Sequence, residues 1–194
     1  MRIHRVLLAL AAVLLASGAA AEDPERPGYV VFRGGGYVPQ SATFSAYPSS
    51  FLLEVAVGWR VLPWLPIEVS AGWTDVLASI QQYPTLLRER FTLYPVAVTG
   101  RVEIPAGPVR PYLLAGVGLD VTRFVRDTGE GGTSWSSSSA DPALEAGAGL
   151  RANLGDRVSA SAEGRYRFSH TRVFGEGARE MNALEILAGL GYAF

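Results

Sequence analysis

The side chains best equipped for chemistry lie near the carboxy-terminal end. Ser169 and His170 are neighbours, and Glu185 follows on the next extended segment. A histidine, a hydroxyl and a carboxylate are the parts of an acyl-transfer triad, in which the imidazole takes the hydroxyl proton and the carboxylate orients the ring. On an extended strand adjacent side chains point to opposite faces, so Ser169 and His170 meet only if the chain turns there. The chain has two histidines; the other, His4, belongs to the leader described below. With no second histidine nearby and no clustered ligand spacing, neither a metal nor a cofactor is expected.

A larger set of polar residues recurs at every second position inside otherwise apolar segments: Arg33, Glu54, Arg60, Glu68, Arg101, Glu103, Asp120, Glu145, Arg151, Glu163, Arg165, Arg167 and Glu185. Arginines and acids gathered on one face pair with each other as a network that compensates burial. Lining an ion path is the other role such a set can play.

The elements that place these residues are strands. In Ala183 to Phe194, residues Leu184, Ile186, Ala188, Leu190, Tyr192 and Phe194 fall on one face and small or polar residues on the other. The clearest alternation sets Phe51, Leu53, Val55, Val57, Trp59 and Val61 against Leu52, Glu54, Ala56, Gly58 and Arg60. Similar alternation runs through residues 28–38, 67–74, 91–103, 111–122, 143–153 and 158–168, which makes eight strands with the closing one. In the first, Arg33 inward puts Val30 and Phe32 outward. Gly34 to Gly36 reads as close backbone approach, because no Gly-Lys-Ser/Thr sequence or helix pattern follows it. Pro95 lacks a ladder donor, so a bulge or local break is expected there.

The connections alternate in length. Residues 62–66, 104–110 and the Gly155-Asp156 turn are short, whereas 39–50, 75–90, 123–142 and 169–182 are long. The third of these carries Trp135 in a serine-rich run that reads as a flexible surface loop. Long and short connections in alternation describe an all-β, eight-stranded antiparallel up-and-down barrel, with short turns at one end and long loops at the other. A soluble barrel would turn its charges outward. Here the uncharged face is the one lipid can accept, so the fold expected is a transmembrane barrel. Eight strands enclose only enough room for their own side chains.

Composition agrees. Arg2 and Arg5 precede an apolar run from Val6 to Leu15, and Ala19-Ala20-Ala21 offers a small-x-small cleavage site, so residues 1–21 read as an export signal and 22–194 as the barrel domain. Removing those two arginines takes the net charge from −1 to −3 and leaves no basis for a nucleic-acid partner. There is no cysteine, hence no lipid anchor, disulfide or thiolate site. Beyond the leader, no stretch reaches the roughly 20 apolar residues of a membrane helix, so a membrane protein built from this chain must be a barrel. Trp59, Trp64, Trp73, Tyr94, Tyr166 and Tyr192 fall near strand ends, where aromatic girdles sit.

Two segments carry a family resemblance. Arg110-Pro111-Tyr112 leading into Ala115-Gly116-Val117-Gly118, together with the terminal Tyr192 and Phe194, resembles the small bacterial outer-membrane β-barrels of the OmpA-like, OmpX-like and OmpW-like type. The resemblance implies an outer-membrane location, with outer-membrane lipid and lipopolysaccharide around the barrel. It also implies that the terminal aromatic is read by the barrel-assembly machinery. A non-enzymatic structural or surface-interaction protein is expected, monomeric, with loops 75–90 and 123–142 open to a surface ligand. Because the strands end with the chain, no peptidoglycan-binding domain is expected after the barrel. An OmpW-like conduit for small hydrophobic molecules is the alternative, favoured by Leu77, Ile80, Tyr83, Leu86 and Leu87. In its His170, serine and Glu185 the chain also resembles the PagL-type lipid A deacylases. Their pattern has serine two positions after the histidine, where this chain has Arg172.

Overall fold

The computed structural model describes residues 28–41, 47–82, 85–104, 109–127, 134–172 and 178–194, with backbone alone at 78–82 and 85–88. The leader assigned to 1–21 and the polar segment after it lie outside the described residues.

Every described element is a strand: β1 (Gly28–Pro39), β2 (Ser50–Leu62), β3 (Leu65–Gln82), β4 (Thr85–Glu103), β5 (Val109–Asp127), β6 (Trp135–Asn153), β7 (Val158–Thr171) and β8 (Ala183–Ala193), with a two-residue ribbon, Arg179–Glu180, paired to His170 and Thr171. Each strand is antiparallel to its neighbour in sequence. β8 then pairs with β1 from Tyr29↔Ala193 to Pro39↔Ala183. That last ladder closes the sheet into an eight-stranded barrel and leaves no free edge at the level where all eight strands run, which is what a sheet in hydrocarbon requires.

Alternation decides which residues face where. Phe32, Leu53, Val55, Leu113, Val117, Leu144, Ile186 and Leu190 are exposed on the outside, while Arg33, Glu54, Glu68, Arg165 and Glu185 are buried within. A surface this apolar is lipid-compatible; the reverse arrangement would put charges at the midplane at roughly 2 to 4 kcal/mol each.

Two expectations need correction. Residues 75–90 and 123–142 were expected to be loops, but most of each is strand: β3 runs to Gln82, β4 starts at Thr85, β5 runs to Asp127 and β6 starts at Trp135. The ladder continues because inward positions past the membrane level still find apolar partners, as Val76, Phe91 and Phe124 do. Trp135 is accordingly in a strand, edge-on to Phe124 at 5.8 Å between centroids. β3 to β6 thus project, as two hairpin arms joined side by side through the β4–β5 ladder from Arg88↔Asp127, beyond the shorter β1, β2, β7 and β8.

At Pro95 the β3–β4 ladder is interrupted rather than shifted. Pairs run to Ala71↔Val96 and resume at Thr74↔Leu93 in the same register. The proline has no N–H to give to β3. On its other side Pro95 stays in register opposite Asp120.

Candidate functional site

The lumen is filled in two layers. Nearer the short turns the layer is charged. Across the β1–β2 ladder Arg33 Nη1 donates to Glu54 Oε1 at 2.6 Å, and Nη2 donates to Glu68 Oε2 at 2.5 Å. Tyr29 Oη donates to the other oxygen of Glu68 at 2.9 Å. Arg101 Nη2 lies 2.8 Å from Glu68 and 3.0 Å from Glu163, which also accepts from Tyr112 Oη at 2.7 Å. Arg101 is stacked 4.7 Å over the Tyr112 ring.

Arg165 bonds its ladder partner Glu185 and reaches across the lumen to Glu54. Arg167 Nε and Nη2 donate to Asp120 Oδ1 at 2.8 and 2.6 Å, while Nη1 donates to Glu145 Oε2 at 2.7 Å. Thr99 Oγ1 donates to the remaining oxygen of Glu145 at 2.5 Å. Arg151 and Glu103 form a looser pair at 3.4 Å. Of the residues singled out from the alternation, Arg60 stands apart: it is half-buried and makes no ion pair among the described residues. Nearly every charge of this layer therefore has a counter-charge in hydrogen-bond reach, which is the condition under which buried ions are tolerated.

Above this layer the lumen is apolar. Tyr37, Leu52, Val76, Phe91, Leu93, Phe124, Met181, Ala183 and Leu187 form one buried cluster. Tyr47 lies against it, and its Oη donates to Glu89 Oε2 at 2.5 Å; Arg126 Nε donates to the other oxygen of Glu89 at 2.8 Å. The gap left among Tyr37, Pro39, Tyr47, Val76, Phe91 and Met181 measures about 10 Å³, no more than one water needs.

Sequence reasoning did not reach this apolar layer, nor the phenols of Tyr29 and Tyr112 as network members. The signal was present. Counting by twos past the expected strand ends leads from Thr74 to Val76, from Phe91 to Glu89, and from Thr122 to Phe124 and Arg126.

The triad parts are separated. Ser169 is buried and its Oγ donates inward to the Met181 carbonyl at 3.1 Å, whereas His170 is exposed on the outer face. Glu185 is engaged by Arg165. Tyr192 and Phe194 are exposed on the outside near the barrel's lower rim. Arg157 Nη1 donates to Tyr192 Oη at 3.0 Å, and the Phe194 amide donates to the Gly28 carbonyl at 2.9 Å.

A closed eight-stranded sheet with an apolar exterior and a charge-paired interior is a transmembrane β-barrel. The chain belongs to the outer membrane protein beta-barrel domain family, whose model matches residues 7–194, and its place is the bacterial outer membrane. The fold is similar to that of Neisserial surface protein A, NspA (23% identity, TM-score 0.62, covering 86% of this chain and 97% of that one). It is also similar to OprG from Pseudomonas aeruginosa (14%, 0.54, 89% and 99%) and to Ail of Yersinia pestis, solved with the heparin analogue sucrose octasulfate (16%, 0.51, 86% and 97%). No curated protein matches the sequence. In barrels of this class the short turns face the periplasm and the long connections face outward, so the hairpin arms are external.

Proposed function

We propose that this protein is a non-enzymatic, non-conducting barrel that presents its external hairpin arms at the cell surface, as a structural or surface-interaction protein. The two-layer filling of the lumen carries the reading. Ions entering from outside pass the Glu89–Arg126 pair, whose charges are committed to each other, and then meet the apolar cluster of Leu52, Phe91, Leu93 and Phe124; below it the charges are again committed to each other. Passage would need both layers to open.

The conduit alternative rested on Leu77, Ile80, Tyr83, Leu86 and Leu87. Leu77 is exposed on the outer face, and the other four side chains lie outside the described residues. The hydrolase alternative rested on a triad whose serine and histidine point to opposite faces.

Planar-bilayer recording of the purified barrel tests the proposal. Small, irregular conductance at most is expected; large, steady channels from the unmodified protein would overturn it.

A further inference from the structure

At the periplasmic end of the lumen, positive charge exceeds what the described residues pair. Arg60 on β2, Arg110 on β5 and Arg151 on β6 take inward positions close to where their strands begin or end. Arg110 and Arg151 are direct partners in the β5–β6 ladder, and like charges set opposite each other repel. Arg60 reaches in from the other side and lies in the electrostatic field of both, of Glu103 and of Tyr29. Glu103 is the carboxylate that faces them: Arg151 Nη1 donates to its Oε1 at 3.4 Å, and Arg110 Nη1 stands 3.9 Å from its Oε2. Three guanidiniums against one carboxylate leave a surplus of two positive charges.

The hydrogen bonds of this corner are also incomplete. Deeper in the lumen Arg167 holds its two carboxylates at 2.6 and 2.7 Å, well inside either distance to Glu103. The Nε of Arg60, of Arg110 and of Arg151 is in each case buried without a hydrogen-bond partner among the described residues. So is the hydroxyl of Ser161, which stands opposite Arg151 in the β6–β7 ladder. A buried donor left unpaired costs more than an ordinary hydrogen bond returns, so these groups mark a place that wants an acceptor. Arg151 is 7% exposed and lies 5.1 Å over the Tyr29 ring. The Arg110 side chain is 30% exposed and Arg60 is half-buried. The inner wall of this corner is therefore fixed, while its outer side is open to water.

We infer that Arg60, Arg110 and Arg151 form a binding site, entered from the periplasm, for a small doubly charged oxyanion of the phosphate type. Charge decides the class. A dianion cancels the surplus of two, whereas a halide, or the phosphodiester of a membrane lipid, brings a single charge. Geometry agrees with it: guanidinium donors converge from β2, β5 and β6, and a tetrahedral oxyanion accepts from several directions at once. Guanidinium is also the side chain whose fork of donors suits phosphate oxygens, and it keeps its charge at every physiological pH. Glu103 repels such an anion from its own side of Arg151. That directs the anion toward Arg60, the guanidinium that makes no ion pair among the described residues.

The test is isothermal titration of the full barrel, folded in a non-ionic detergent, with inorganic phosphate. Saturable heat is expected from the parent, and none from sodium chloride at matched ionic strength or from dimethyl phosphate, a diester of single charge. Arg60→Gln strands no carboxylate, because Arg60 makes no ion pair among the described residues, and should weaken binding several-fold. Arg60→Gln combined with Arg110→Gln should remove the saturable heat. Arg123→Gln, at an exposed position toward the outer end of β5, should leave it unchanged. Heat-shifted gel migration confirms that each variant is folded. No saturable heat in the parent, equal heat with dimethyl phosphate, binding unchanged by loss of both arginines, or binding lost equally with Arg123→Gln would overturn the inference.

Discussion

Arg33 and Glu54 face each other across the β1–β2 ladder, their guanidinium and carboxylate 2.6 Å apart. Neither is satisfied by the other alone: Arg33 also holds Glu68, and Glu54 also accepts from Arg165, which lies 111 residues further along the chain. The lumen is thus stitched by guanidiniums that each touch a ladder neighbour and a strand across the barrel.

The first prediction concerns that stitching. Arg165 pairs with Glu54 and Glu185 and lies 3.8 Å from Glu145 and 3.6 Å from Glu163. Arg165→Met strands several buried carboxylates, and a loss of about 3 to 5 kcal/mol is expected, the usual cost of breaking a buried pair from one side. Arg101→Ala and Glu145→Ala should fall in the same class. Urea unfolding in vesicles, followed by the heat shift on gels, reads the effect; a change no larger than that of an exposed substitution would argue against a tight network.

The second concerns closure. The Phe194 ring lies over Gly28 so closely that a β-carbon there would come within 2.7 Å of it, and the Phe194 amide bonds the Gly28 carbonyl. Gly28→Val is expected to push the ring aside, and deletion of Phe194 to lower the amount inserted while export continues. Quantifying heat-shiftable protein in outer-membrane fractions checks both. Normal insertion of the truncated chain would deny the terminal aromatic its role.

Pro95 supplies a third. Pro95→Val restores a donor at the one interruption of the β3–β4 ladder. Amide exchange at Gly72 and Trp73 should slow, with a gain on the order of 1 kcal/mol from the added hydrogen bond. Unchanged exchange would mean that the interruption has another cause.

The fourth addresses His170. Exposed on the outer face and opposite in direction to Ser169, it is expected to be replaceable by alanine with a stability change within about 0.5 kcal/mol and no change in lipid A acylation. Mass spectra of lipid A from cells overproducing either form decide the matter. An acyl chain lost with the parent and kept with the variant would make the protein a hydrolase.

What the sequence by itself determined is the face of each residue and the number of strands, because both rest on a local rule. Side chains alternate along a strand, and lipid does not accept charge, so Glu54, Arg101, Glu145 and Arg167 had only one side to occupy. The same rule, followed one step past the expected strand ends at Thr74 and Thr122, reaches Val76 and Phe124, which were expected to lie in loops. Tertiary structure alone decided the partners. That Arg165 meets Glu54, or Arg101 meets Glu163, depends on closure of β8 against β1 and on the stagger of eight ladders, quantities summed over the whole circumference and written in no single segment. Closure also set where the charged layer stops and the apolar layer begins. It brought Arg60 of β2 toward Arg110 and Arg151 of β5 and β6, since only a sheet closed on itself turns side chains of distant strands toward a common mouth.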